Sequence, residues 1–129
     1  MNFSYAFRLI ATLLILSAGG CKSSLDEAVQ SLPGTYVRAG QHEFGKEYDT
    51  LTVSLVNEAA GQYRITRNWQ YERVLDGKTL NPEYKSTTAT AFYDENTRAL
   101  KDERAGRLYV LDTDGQTLVA GSNKYGRLK

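Results

Sequence analysis

Between residues 63 and 71 an aromatic, aliphatic or cationic side chain recurs at every second position: Tyr63, Ile65, Arg67, Trp69 and Tyr71. Alternate side chains of an extended strand share a face, so this spacing makes one stripe, with Gln62, Arg64, Thr66, Asn68, Gln70 and Glu72 opposite. Trp69 and Tyr71 offer ring surfaces to a flat or sugar-like ligand, and Arg67 offers a planar cation to an anionic group. The same stripe also suits a core in which Ile65 and Trp69 pack inside and the Arg67 stem covers apolar surface near a rim. In either case a guanidinium out of water needs a carboxylate, a ring face or water beside it.

Other chemistry is sparse. His42 is the sole histidine and sits in a loop-like stretch, Gln41-His42-Glu43. No serine stands in a Gly-x-Ser-x-Gly elbow, and no spacing joins His42 to a distant serine and aspartate. Asp112-x-Asp114-Gly115 is a fragment of a calcium loop without its later glutamate, and a hairpin turn explains it. No cysteine or histidine cluster holds a metal, and no glycine-rich loop cradles phosphate. A pair of carboxylates for glycoside chemistry is invisible in sequence, because the two meet only in the fold. The expectation is therefore no catalytic set, no metal, no cofactor and no enzyme.

The chain opens on an address. Arg8 precedes an almost wholly apolar run, Leu9 to Ala18, followed by the small residues Gly19 and Gly20. The run is too short to span a bilayer about 30 Å thick, and it reads as a cleaved signal over residues 1–20. Ala18-Gly19-Gly20-Cys21 resembles the lipobox of bacterial lipoproteins. The resemblance implies cleavage between Gly20 and Cys21, diacylglyceryl on the Cys21 sulfur, and a further acyl chain on its amine. Each buried methylene contributes about 0.8 kcal/mol, so two or more chains anchor durably. The resemblance places the protein in the cell envelope, lipid-anchored on the periplasmic face or outer surface. Cys21 is the only cysteine, so no intrachain disulfide forms and stability must come from packing.

Beyond residue 20, positive and negative side chains balance: Arg8 removes one of the 16 Lys+Arg, against 15 Asp+Glu. The charges are interspersed, as in Lys101-Asp102-Glu103-Arg104. A nucleic-acid partner would need a cationic surplus to displace counterions, so none is expected.

Residues 21–31 are polar and read as a lipidated flexible tether; a single domain of residues 32–129 follows. Leu51, Val53 and Leu55 alternate with Thr50, Thr52 and Ser54, a half-buried strand within 48–56. The run 62–74 is long for a strand, which predicts a bulge or bend near Asn68. Further strands are expected at 36–38, 84–93, 107–112, 116–120 and 124–128. Turns fall at 57–61, Asp76-Gly77, 94–97 and 113–115. No helix is expected in the domain. Seven or eight short antiparallel strands bury a shared face and lose their edges by curling up. The expected fold is all-β, a small antiparallel up-and-down β-barrel; a two-layer β-sandwich is the alternative.

Gly34-Thr35-Tyr36 resembles the Gly-x-Trp that opens the first strand of lipocalin and related calycin barrels, with Tyr in place of Trp. Those barrels often pack a late arginine over the early aromatic by a cation–π contact. The resemblance implies that Arg127 stacks on Tyr36 and closes the barrel base. The expected partners are the membrane, through the lipid anchor, and another envelope protein or a small ligand held by Arg67, Trp69 and Tyr71.

Overall fold

The computed structural model describes residues 30–129. It contains nine strands: β1 (Gly34–His42), β2 (Gly45–Asn57), β3 (Gln62–Leu75), β4 (Lys78–Thr79), β5 (Glu83–Asp94), β6 (Ala99–Asp102), β7 (Leu108–Leu111), β8 (Thr117–Ala120) and β9 (Asn123–Arg127). Every pairing is antiparallel, and the order β2-β1-β9-β8-β7-β6-β5-β3 closes on itself through β2 and β3. Eight strands thus form a closed up-and-down barrel, with β4 a two-residue return onto β3. Closure leaves one sheet, so the two-layer alternative falls away. Among the described residues no helix is long and apolar enough to cross a membrane.

The wall is unequal. β1, β2, β3 and β5 have 9, 13, 14 and 12 residues, whereas β6 to β9 have four or five each. The four long strands exceed the short strands expected, of which the sequence marks only the run 62–74 as long. β5 meets β6 only along Ala91–Asp94, and β9 meets β1 only at Tyr36 and Val37. At one end the ring is therefore complete. At the other, four long strands rise past their short neighbours as a curled sheet open on one side.

The complete end is the packed end. Leu51 and Val53 of β2, Tyr63 and Ile65 of β3, Leu100, Leu118 and Tyr125 fill it. Leu32 plugs it from below at 2% exposure. Leu55, expected on the same face, is 36% exposed although it stands in register opposite the buried Tyr63; the β2–β3 register shifts just beyond it, between Leu55 and Asn57. That shift also corrects the bulge expected near Asn68. There the ladder is continuous, Thr50 opposite Asn68 opposite Ser86, and the outward Asn68 side chain accepts the Ser86 hydroxyl at 2.8 Å. The irregularity lies instead where β2 runs into its hairpin.

Turn chemistry follows the sequence. Asp76 and Gly77 both have positive φ, 52° and 75°, the pair of left-handed residues a tight hairpin requires. The Asp114 carboxylate accepts the amides of Gln116 and Thr117 at 2.8 and 3.0 Å and the Thr117 hydroxyl at 3.0 Å, and so ties the β7–β8 turn. Those hydrogen bonds hold its carboxyl below the usual range.

Candidate functional site

β3 carries its stripe up the inner wall. Tyr63 and Ile65 lie in the packed end; Arg67 stands where packing stops; Trp69 and Tyr71 lie above it. Register sets their neighbours. Arg67 is flanked by Leu51 and Thr87, Trp69 by Asp49 and Lys85, and Tyr71 by Glu47 and Glu83. Arg38 on β1 stands opposite Asp49.

These residues form one charge network. Arg67 donates from Nε to Asp49 Oδ1 at 2.9 Å and from Nη2 to Oδ2 at 2.6 Å. The Tyr125 hydroxyl donates to the same Oδ2 at 2.9 Å. Arg38 approaches it at 3.7 Å and pairs with Glu47 at 2.8 Å. Glu47 also accepts the Trp69 indole N–H at 3.4 Å. The Asp49 side chain has no exposed surface, and a buried carboxylate is tolerable only with such partners. Hydrogen bonding to Asp49 raises the Arg67 pKa further. Burial opposes the charge on Arg38, but hydrogen bonds to Glu47 and Tyr125 outweigh it. Burial, then the hydrogen bond to Asp49, pushes the Tyr125 phenol up, so it remains a donor.

Above the network the rings form a ladder. Trp69 and Tyr71 stack with centroids 5.3 Å apart and planes 9° from parallel. Tyr71 stacks on His42 at 6.1 Å, and the Arg73 guanidinium lies 6.0 Å from the Tyr71 ring. His42 is the last residue of β1 rather than part of a loop, and its Nδ1 accepts the Phe44 amide at 3.3 Å. Between the ladder and the network lies a cleft of about 340 Å³ lined by Glu47, Arg67, Trp69, Lys85 and Thr87.

The structure thus brings Arg67, Trp69 and Tyr71 to one wall of the mouth, with Arg67 and Trp69 on the cleft itself. Of the partners its sequence allows, Arg67 has found a carboxylate. Its fork is already filled by Asp49, so it forms the floor of the mouth. Asp49, Glu47, Lys85 and Thr87 are the residues that sequence reasoning missed. Asp49 and Glu47 share the alternation of Leu51 and Val53, and an acid in such a series is the available sign of a partner for Arg67.

Tyr36 and Arg127 meet at the opposite end. They are cross-strand neighbours, with the guanidinium 4.8 Å from the ring centroid and Nη2 2.6 Å from the Tyr36 hydroxyl. Arg127 also donates to the carbonyls of Ser31, of Pro33 at 3.0 Å and of Gly115 at 3.2 Å. The Tyr36 hydroxyl donates to Leu32 O at 2.7 Å. Gly34 makes room for this: a Cβ there would lie 2.7 Å from Arg127 Nη1. Gly20 and Cys21, the signal and most of the tether lie outside the described residues. Among the described residues no cluster of His, Cys, Asp and Glu could hold a metal ion.

A barrel packed at one end and open at the other, with an aromatic and charged mouth, defines a small all-β protein consistent with a calycin-like fold. No family model matches the chain, and no curated protein or solved structure matches it.

Proposed function

We propose that this chain is a lipid-anchored, non-enzymatic binding protein of the bacterial envelope, whose barrel mouth takes up a small ligand with a flat or sugar-like face. The observation that carries the ligand reading is the level at which packing stops. Below Arg67, Leu51, Val53 and Tyr63 fill the interior on the β2–β3 side; above it a cleft of about 340 Å³ remains, within the roughly 300–1,000 Å³ usual for small-molecule sites. Trp69 supplies the aromatic surface. Glu47 and Asp49 are both engaged by guanidinium groups, an arrangement suited to holding a shape rather than to moving protons. The anchor rests on Ala18-Gly19-Gly20-Cys21. Because Leu32 and the start of β1 lie at the packed end, a tether from Cys21 joins the barrel at its base, and the mouth opens at the other end.

Trp69 is the only tryptophan, so its emission reports directly on the cleft. Titration with a panel of aryl glycosides and flat aromatic compounds is expected to shift or quench it saturably. A panel without any saturable change contradicts the ligand reading.

A further inference from the structure

We infer that the ligand is an elongated dianion, with one acidic group at Lys85 and a second at Arg104 and Arg107; this rests on the mouth being a ligand site. The cleft beneath Trp69 is not isolated. A second cleft of about 210 Å³ shares Arg67 and Thr87 with it and extends past Thr88 and Ala89 to Arg104 and Arg107. No strand divides the two, because β5 has no β6 partner before Ala91. Lys85, Thr87 and Ala89 occupy alternate positions of β5, so one face of that strand runs through both clefts. Four residues of strand cover about 13 Å.

The charges along this trough do not balance. Of its carboxylates, Glu47 is answered by Arg38, and the buried Asp102, which accepts the Ala105 amide at 2.7 Å, offsets one positive charge at the arginine end. Arg67 is taken by Asp49. Lys85, Arg104 and Arg107 form no ion pair among the described residues, and the Arg107 guanidinium lies beside the Tyr109 phenol. Burial, the largest influence on Tyr109, raises its pKa and keeps it protonated. One uncompensated positive charge at each end of a concave surface focuses a positive potential into it. A small molecule bearing carboxylates or phosphates about 10–13 Å apart matches both ends. A neutral or cationic ligand leaves the surplus unanswered.

The test uses the full chain in detergent micelles, with Trp69 emission and calorimetry as readouts. The probes are α,ω-dicarboxylates of stepped length, the matching bisphosphates, their dimethyl esters and a neutral aryl glycoside. The diacids that reach both ends are expected to bind about tenfold or more tighter than their esters and to weaken as salt rises. Lys85→Gln and the pair Arg104→Gln, Arg107→Gln are each expected to remove most of that advantage. All three side chains are exposed, so the fold is retained, and circular dichroism checks this. Whether carboxylate or phosphate binds better identifies the acidic group. Equal binding of diacid and ester, or charge variants without effect, overturns the inference. If the glycoside still binds in that case, the ligand reading of the mouth survives; if no probe binds, both fail.

Discussion

Arg67 grips Asp49 through two nitrogens, Nε to Oδ1 at 2.9 Å and Nη2 to Oδ2 at 2.6 Å, and this pair marks the boundary between the filled and the open barrel. The carboxylate is fully buried while the Arg67 side chain keeps 32% of its surface exposed. The arrangement fits a polar floor to the mouth: it closes the core from above and presents a guanidinium edge to the open end.

Removing one partner leaves the others stranded. Asp49→Ala takes the counter-charge from Arg67 and Arg38 and the acceptor from Tyr125. We expect a loss of about 3–5 kcal/mol, the scale for breaking a buried pair, measured by urea denaturation. Asp49→Leu combined with Arg67→Met is expected to be less damaging than Asp49→Ala, because it removes the charges together. A double variant worse than the single would show that the pair is not the unit described.

At the base, Arg127 and Tyr36 join β1, β9 and the incoming chain. Tyr36→Phe keeps the ring beneath the guanidinium but removes the hydroxyl that donates to Leu32 O, a loss of about 1 kcal/mol. Arg127→Ala removes the donor to three carbonyls as well as the contact with the ring, and about 2–4 kcal/mol is expected. The order of the two melting temperatures checks this, with Arg127→Ala the lower.

Much of the fold was legible because a barrel wall is a period of two. Leu51 and Val53, the stripe from Tyr63 to Tyr71, and the Asp76-Gly77 and Asp114-Gly115 turns all carry local signals. The relation of Tyr36 to Arg127 was reached through two short motifs at the ends of the domain. β6 escaped notice because Ala99 and Leu100 are both buried, which erases alternation in a four-residue strand. Neither is the unequal wall written locally, since a strand ends where its neighbour ends. The site was half legible. Trp69 and Arg67 stood out as types, but the use of Arg67 depended on Asp49, eighteen positions away. Lys85 lies in a Thr-rich run where only the register with Trp69 gives it meaning.

Alkaline pH should unfold the barrel in a defined window. Burial, with Tyr93 and Glu58 nearby, raises the Tyr63 pKa to about 12 from the ordinary 10.0, and Tyr36, Tyr109 and Tyr125 are also raised. A phenol with its folded pKa above its unfolded one contributes stability that is fully present below pH 10. That stability is lost as pH rises from about 10 to 12, by about 2–3 kcal/mol for Tyr63. Tyr63→Phe is expected to flatten the fall in stability over this window in denaturation series at pH 9, 10 and 11.

The anchor has its own test. Cys21→Ala is expected to abolish incorporation of labelled fatty acid and to release or stall the protein, read by fractionation. A variant that labels and fractionates like the native chain contradicts lipid attachment at Cys21.

The most direct measurement of the central claim is a residue-by-residue map of ligand contact. Amide and indole NMR spectra of the isotopically labelled full chain in micelles, recorded with increasing ligand, provide it. Saturable shifts are expected at Glu47, Arg67, Trp69, Lys85 and Thr87, with Tyr36, Leu118 and Arg127 at the base unmoved. Shifts confined to the outer wall or the base, or none across the panel, would contradict a ligand site in the open half of the barrel.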